Sequence, residues 1–126
     1  MSFKNLNTIS VIGLGYIGLP TAAMFASFGK NVIGVDVSKN IVDFINDGHV
    51  HIVENNLDNI VKKVVQDKLL RATTNTEPAD VFIIAVPTPF LPIQDDNSIP
   101  KPDISFIKAA SKAIAKVLKK DNLVIL

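Results

Sequence analysis

Apolar residues occur along the chain in two patterns, as short continuous runs and as longer stretches with helical spacing. The runs are typical of buried strands and lie at residues 8–12, 31–37, 70–73, 79–86 and 123–126. The helical spacing covers residues 16–28, 39–47, about 57–67 and 104 to about 119. Residues 49–56 and 90–102 show neither pattern and are predicted as irregular segments, the second one polar and proline-bearing.

Residues at the ends of these stretches support the predicted helices. Ser38 and Asp103 each precede a helical stretch, and their side-chain oxygens suit the N-cap position. Gly29 and Gly48 follow the first two helical stretches, where glycine is the usual C-terminal stop.

Strands that alternate with helices predict a parallel sheet covered on both faces. Right-handed crossovers then give the strand order 3-2-1-4-5. The predicted fold class is therefore α/β, with a Rossmann-like doubly wound sheet built from a single domain over residues 1–126. Residues 123–126 are predicted to begin a strand, and the sequence ends within it. We therefore expect the sheet to be truncated at this last strand.

The charge balance excludes some classes of partner. The formal net charge is +1, so no basic field indicates a nucleic acid or an anionic membrane. Five lysines recur near the C-terminus, mostly at four-residue steps, and we interpret them as a solvated helix face: Lys108, Lys112, Lys116, Lys119 and Lys120.

No apolar run reaches ~18 residues and the N-terminus lacks the apolar core of a signal peptide, which favours a cytoplasmic protein.

The inventory of reactive side chains is small. The chain has no cysteine, which excludes disulfides, thiolate metal sites and a cysteine nucleophile within it. His49 and His51 alternate near Glu54, but a metal ion would need a third ligand at a suitable spacing. We therefore expect surface or packing roles for these histidines, no metal site, and no catalytic residue in this chain.

Three glycines occupy six positions between the first strand and the first helix, in the pattern G-x-G-x-x-G at Gly13, Gly15 and Gly18. We call residues 13–18 the glycine loop. Such glycines can serve the turn alone, but their place between a strand and a helix is typical of dinucleotide sites. The backbone N–H groups of Tyr16 and Ile17 would then face the phosphates at the positive end of the helix dipole.

An acidic residue follows the second strand at the position that a dinucleotide site requires. Asp36 lies 18 residues after Gly18, and its carboxylate can accept hydrogen bonds from both hydroxyls of the adenosine ribose. The same charge would repel the 2′-phosphate of NADP, so the predicted cofactor is NAD. Lys39 lies close enough in sequence to contact the cofactor and to weaken that preference.

Thr88 follows the predicted strand at residues 79–86 and lies between two prolines, in the segment VPTPF. We expect this strand to lie near the centre of the sheet. Ligands of open parallel sheets bind beyond the carboxyl ends of the strands, so Thr88 is a candidate cofactor contact. The alternative is that the prolines only make a rigid exit from the strand.

With these segments together, the sequence resembles the UDP-glucose/GDP-mannose dehydrogenase family. The likeness extends over nearly the whole chain through VIGLGYIGLPTA, VIGVDV, HIVE, LRATT, ADVFIIAVPTPF and LVIL. HIVE, LRATT and VPTPF together are most similar to the bacterial members that oxidise UDP-N-acetyl-D-mannosamine for surface polysaccharides. The sequence departs from the family in Asn55, where proline is common, and in the segment LPIQDDNSIPKPD, which is longer than usual.

The resemblance implies a role for individual residues and for the chain. It implies that Tyr16, Ile17, Asp36 and Thr88 bind NAD, and that the parent enzyme oxidises the C6 alcohol of a UDP-sugar to a carboxylate in two steps. The cysteine, lysine and asparagine of that chemistry lie in a later domain of the family. We therefore expect residues 1–126 to be an inactive NAD-binding fragment of a homo-oligomeric enzyme.

Two other interpretations remain open from the sequence. One is a freestanding dinucleotide-sensing module, like the regulatory nucleotide domains attached to ion channels. The other is a flavin or S-adenosylmethionine site, for which the VPTP segment has no evident role.

Overall fold

The computed structural model of the protein describes residues 6–95 and 97–126. Strands and helices alternate in the order β1 (Thr8–Ile12), α1 (Gly18–Ser27), β2 (Asn31–Val35), α2 (Lys39–Asn46), α3 (Leu57–Gln66), β3 (Leu70–Thr73), β4 (Val81–Ile84), α4 (Ser105–Ala115) and β5 (Leu123–Ile125).

The five strands form one parallel sheet in the order β3-β2-β1-β4-β5. This confirms the predicted fold class and strand order. β1 lies at the centre, where Val11 pairs with Gly34 of β2 on one side and with Ile83 of β4 on the other. The carboxyl ends of β1, β2 and β4 therefore meet at one edge of the sheet.

Alternate residues of each strand face two separate apolar cores. One face packs on α1, α2 and α3, with residues such as Val11, Leu19 and Ile45 buried against it. The other face packs on α4, where Phe82 meets Ala110 and Ile114. Both faces of the sheet are thus covered, as expected for a parallel sheet.

The predicted caps of α2 are confirmed. The Ser38 hydroxyl accepts a hydrogen bond from the Ile41 N–H at 3.4 Å. Gly48 ends the turn after α2 with a φ of +83°, and Gly29 ends the turn after α1 with a φ of +84°. Glycine adopts this left-handed conformation without steric cost, which explains both positions.

Two helix boundaries differ from the prediction. α1 begins at Gly18 rather than Tyr16, because residues 15–17 form a turn that is not yet helical. α4 begins at Ser105 and ends at Ala115, not near residue 119. Asp103 lies one position before the N-cap residue, and its carboxylate accepts the Ser105 N–H at 2.9 Å.

The early end of α4 has a topological cause. The chain must reverse before Leu123, whose N–H bonds to the Asp80 carbonyl at the start of the β4–β5 pair. The reversal occupies residues 116–122, with a left-handed φ of +68° at Asp121. Lys116, Lys119 and Lys120 therefore lie on this turn rather than on the helix, although all five lysines are exposed as predicted.

The segment between β4 and α4, residues 85–104, projects from the same edge of the sheet as the glycine loop. Its arms pair as an antiparallel bridge between Phe90 and Pro102, and the Leu91 N–H bonds to the Lys101 carbonyl at 2.8 Å. Residues 90–102 of this segment were predicted to be polar, but they expose Phe90 and Ile99, the latter by 83%. We call this segment the β4–α4 loop.

Candidate functional site

Gly13 turns the chain sharply at the end of β1, with a φ of +95°. Its N–H donates to the Val35 carbonyl at 2.8 Å, which carries the β1–β2 pairing one residue into the loop. A Cβ at this position would lie 2.7 Å from the carbonyl oxygen of Ala85, the residue that follows β4. Both the backbone conformation and the contact with Ala85 therefore require glycine at position 13.

Gly18 brings α1 against the glycine loop. A Cβ at this position would lie 1.6 Å from the Gly13 carbonyl oxygen, a distance that no packing arrangement can accept. Gly18 is buried, and α1 starts at this residue. The requirement for glycine at positions 13 and 18 thus comes from atoms of the chain itself.

Gly15 differs from these two glycines. A Cβ added there would meet no atom of residues 6–95 and 97–126 within 4 Å, and the φ of Gly15 lies outside the left-handed region. The fold therefore gives no reason for a missing side chain at this position. The bare backbone leaves open space directly in front of the loop.

Three backbone N–H groups lie beside this open space, those of Gly15, Tyr16 and Ile17. Among the described residues, the N–H groups of Gly15, Tyr16 and Ile17 find no hydrogen-bond acceptor, and α1 has no side-chain cap. The side chains of Tyr16 and Ile17 are 70% and 72% exposed. A helix N-terminus with unpaired N–H groups and no acidic residue in its first turn is suited to an anion such as a phosphate.

Asp36 lies directly after β2 and bonds to the backbone of two loops. One carboxylate oxygen accepts the Leu14 N–H at 3.1 Å, and the other accepts the Ser38 N–H at 2.9 Å. A carboxylate has about four lone-pair directions, so about two remain for further donors. The link to Leu14 places the predicted ribose-binding residue beside the glycine loop.

The Lys39 side chain lies along α2, where it pairs with a residue one helical turn later. Its ammonium group pairs with the Asp43 carboxylate at 2.6 Å, and its side chain is 76% exposed. An exposed pair of this kind contributes little to stability. In this conformation the positive charge of Lys39 is paired with Asp43, and no ion pair joins Lys39 to Asp36 among the described residues.

A cavity of about 200 Å³ opens at the carboxyl ends of β1, β2 and β4. Gly13 and Asp36 line it together, so the structure brings these two predicted residues to one place. The remaining lining residues are mostly apolar: Ile12, Val35, Val37, Val86, Pro87 and Phe106. Thr88 is exposed and lies just beyond Pro87, outside the lining residues.

Two larger cavities lie away from the strand ends. One, of about 360 Å³, lies between α2 and α3 beside Phe44 and His49, whose rings are 5.1 Å apart. The other, of about 260 Å³, is enclosed by the β4–α4 loop alone. Neither is lined by the glycine loop or by Asp36, so volume alone does not identify the site.

The histidines and acids do not form a metal centre in the described part of the chain. His49 packs against Phe44, and both His49 and His51 are exposed. Across residues 6–95 and 97–126, no three His, Cys, Asp or Glu side chains lie close enough to hold a metal ion. Over the same residues, no helix has the length and apolar character that crossing a membrane requires.

The resolved pKa shifts lie outside the cavity lining. A two-pronged hydrogen bond joins the Arg71 guanidinium to the Glu77 carboxylate at 2.6 and 3.0 Å. This bond holds the pKa of Glu77 below its ordinary value and raises the pKa of Arg71. Hydrogen bonds from Ser105 likewise lower the pKa of Asp103.

Sequence reasoning missed three residues that shape the site. Val37 and Phe106 supply apolar surface to the cavity, and Gly34 packs against Leu14 behind the glycine loop. The glycine inside VIGVDV was a visible signal, because glycine within a strand indicates close approach of another group. No comparable signal marked Phe106, since the first turn of α4 could not be placed at this edge without the fold.

Comparison with known proteins gives a family match. The sequence model of the UDP-glucose/GDP-mannose dehydrogenase family, NAD binding domain, matches residues 7–126. The match thus includes the glycine loop, Asp36, the cavity and the β4–α4 loop.

Individual relatives agree with this match. The chain is 62% identical over 123 residues to a UDP-N-acetyl-D-mannosamine dehydrogenase from Campylobacter jejuni, covering 98% of this chain and 29% of that protein. It is 57% identical over 122 residues to an NDP-N-acetyl-D-galactosaminuronic acid dehydrogenase from Ralstonia nicotianae, covering 97% of this chain and 27% of that protein. The chain therefore spans less than a third of the length of these curated relatives.

A solved structure shows the same fold. The UDP-N-acetyl-mannosamine dehydrogenase from Staphylococcus aureus superposes with a TM-score of 0.85 at 40% sequence identity. The superposition covers 93% of this chain and 27% of that one.

Proposed function

Because the chain belongs to the UDP-glucose/GDP-mannose dehydrogenase family and corresponds to its NAD-binding domain, we propose that NAD binds at the carboxyl edge of the sheet. In this proposal the pyrophosphate lies against the glycine loop and the adenosine ribose lies at Asp36. The binding residues are Gly13, Gly15, Tyr16, Ile17, Gly18, Asp36 and Thr88, with Lys39 at the margin.

The observation that carries the proposal is the open space in front of Gly15. The chain's own packing explains Gly13 and Gly18, but it leaves Gly15 without a reason. A ligand that needs close contact with backbone N–H groups supplies that reason. The unpaired donors of Tyr16 and Ile17 lie beside the same space and suit the negative charge of a pyrophosphate.

The surroundings of Asp36 support NAD over NADP. Each carboxylate oxygen already accepts one backbone N–H, which leaves about one lone-pair direction on each oxygen for a ribose hydroxyl. A 2′-phosphate would instead face this negative charge. Lys39, which could have offset the repulsion, is paired with Asp43.

We propose that the cavity beside Asp36 takes the adenine of the cofactor. Its apolar lining includes Val37, Phe106, Ile12 and Val35. A planar aromatic base gains from burial between such side chains. We propose that Thr88, which is exposed and lies between Pro87 and Pro89, contacts the cofactor farther along its length.

For the whole protein we propose a UDP-sugar 6-dehydrogenase in which residues 1–126 form the NAD-binding domain. The relatives named for UDP-N-acetyl-D-mannosamine support that sugar as the substrate. NAD, when bound, supplies the hydride acceptor. The 126 residues contain no cysteine, so a thiolate that holds an aldehyde intermediate would come from outside them. We propose a cytoplasmic homo-oligomer that binds no nucleic acid and no membrane.

Calorimetric titration of the 126-residue chain with NAD and with NADP tests the cofactor assignment. We expect NAD to bind more tightly than NADP, and Asp36→Ala to weaken NAD by about 1–3 kcal/mol, as for a lost bond between buried polar groups. The ratio of the two affinities isolates the ribose contact, because any effect on the glycine loop acts on both cofactors. An unchanged ratio in Asp36→Ala would contradict the ribose assignment.

The activity proposal has a separate test. With NAD and UDP-N-acetylmannosamine or UDP-glucose, we expect the 126-residue chain to form no NADH above background, as measured by absorbance at the nicotinamide band. Sustained NADH production that follows the purified chain would overturn the assignment of residues 1–126 as the cofactor domain alone.

A further inference from the structure

Leu14 anchors the glycine loop to the end of β2. Its N–H donates to the Asp36 carboxylate at 3.1 Å, and the preceding Gly13 N–H donates to the Val35 carbonyl at 2.8 Å. Its side chain is 1% exposed and belongs to the core beneath α1. The loop is therefore held both by its backbone and by a buried side chain.

Gly34 makes room for that side chain. A Cβ on Gly34 would lie 2.9 Å from both terminal methyl carbons of Leu14, closer than real Cβ contacts. Gly34 lies in the middle of β2, paired with Val11 and Ala72, and its φ lies outside the left-handed region. Its lack of a side chain is thus explained by Leu14 rather than by its own backbone conformation.

Asp36 bonds the loop and α2 at the same time. Its second oxygen accepts the Ser38 N–H at 2.9 Å, and the Ser38 hydroxyl in turn accepts the Ile41 N–H. The orientation of the carboxylate is therefore fixed from the α2 side, and this orientation presents the first oxygen to Leu14.

We propose that Gly34 and Asp36 are positioning residues that hold the glycine loop, through Leu14, in its ligand-binding shape before a nucleotide arrives. This inference rests on the proposed function for its ligand. Gly34 acts by leaving space and Asp36 by accepting the Leu14 N–H. Preorganisation of this kind raises affinity because less conformational freedom is lost on binding.

Amide hydrogen exchange without nucleotide tests the loop directly. We expect the Leu14 amide to exchange at least about fivefold faster in Gly34→Ala and in Asp36→Ala than in the unchanged protein, the factor for the loss of about one net hydrogen bond. Alanine removes both acceptor oxygens, so the Leu14 N–H loses its partner. Asp36→Ala also keeps the inference testable if Gly34→Ala fails to fold.

NAD titration of Gly34→Ala gives the second readout. Gly34 is buried in the sheet, so any effect of its substitution on affinity is indirect. We expect NAD affinity to fall at least about fivefold, again the equivalent of one hydrogen bond. The double variant Gly34→Ala with Leu14→Val removes the methyl groups that the new Cβ would meet, and it should recover most of the affinity.

Two controls separate positioning from general loss of stability. Gly48→Ala introduces a side chain at a φ of +83° far from the loop, and so strains the fold without touching Leu14. Asp80→Asn changes a carboxylate that accepts the Asn7 and Thr8 N–H groups at 3.0 and 2.9 Å at the opposite edge of the sheet. Both should leave NAD affinity and Leu14 exchange unchanged.

The outcomes distinguish this inference from the proposed function. If the unchanged protein binds no NAD, the proposed function fails, while Leu14 exchange still reports on the loop. If Gly34→Ala and Asp36→Ala exchange their Leu14 amides at the unchanged rate, the positioning role is wrong. It is also wrong if the folded Gly34→Ala variant binds NAD as tightly as the unchanged protein, or if the two controls weaken NAD equally.

Discussion

The glycine loop and the β4–α4 loop leave the same edge of the sheet, but they are held in opposite ways. The glycine loop is fixed by its neighbours, through Val35 and Asp36 on one side and Ala85 on the other. The β4–α4 loop is fixed mainly by itself, through the Phe90–Pro102 bridge and the bond between Leu91 and Lys101.

This difference shows what determines the shape of each loop. In the glycine loop, a single added Cβ at Gly13 or Gly18 would collide with backbone, so the fold leaves no freedom at these two positions. In the β4–α4 loop, exposed residues such as Phe90 and Ile99 pack on little of the domain. A side chain at Gly13 or Gly18 should therefore disturb the whole fold, whereas a change in the β4–α4 loop should stay local.

The largest effect is expected from Gly18→Ala. Its Cβ would lie 1.6 Å from the Gly13 carbonyl oxygen, so α1 and the glycine loop must move apart. We expect the free energy of unfolding to fall by about 3 kcal/mol or more, at the upper end of overpacking costs. Urea denaturation followed by circular dichroism measures this. Gly15→Ala is the matched control, expected within about 1 kcal/mol of the unchanged protein because its Cβ enters open space.

A smaller effect is expected from shortening the β4–α4 loop. Replacing residues 92–100 by Asn-Gly joins Leu91 to Lys101, which are already hydrogen-bonded, through a two-residue hairpin turn. We expect the free energy of unfolding to change by less than about 1 kcal/mol, since loop length has a weak effect on closure entropy. A loss comparable to that of Gly18→Ala would show that this loop supports the domain core.

The smallest effect on stability is expected from Glu77→Gln. Its partner Arg71 lies on β3, the edge strand, away from both loops. Arg71 lowers the pKa of Glu77, so the pair stabilises the fold above the ordinary glutamate pKa and ceases to do so as Glu77 is protonated in acid. The pair is partly exposed, so we expect Glu77→Gln to lower the free energy of unfolding by about 0.5 kcal/mol at pH 7.

The same denaturation at acidic pH checks the sign. The difference between Glu77→Gln and the unchanged protein should shrink as the pH falls below the ordinary glutamate pKa and vanish once the pH is below the lowered pKa of Glu77. Glu54→Gln removes one exposed carboxylate elsewhere and serves as the control. A difference that grows on acidification would contradict the ion pair as its source.

The sequence was sufficient for the sheet order because strand runs and right-handed crossovers constrain it strongly. Gly13, Gly15, Gly18 and Asp36 were found because their spacing reflects contacts within one βαβ unit. Gly34 and Phe106 were not found, since their roles depend on Leu14 and on the packing of α4 over the strand ends. Such contacts join distant parts of the chain and leave no periodic pattern.

The most direct test of the account is a calorimetric titration of NAD into Gly15→Val beside the unchanged protein. The space in front of Gly15 is proposed to hold a pyrophosphate, and none of the described residues fills it. We therefore expect Gly15→Val to lose NAD binding while its circular dichroism spectrum and unfolding midpoint stay close to those of the unchanged protein. A folded Gly15→Val protein that binds NAD with unchanged affinity would show that the phosphates lie elsewhere.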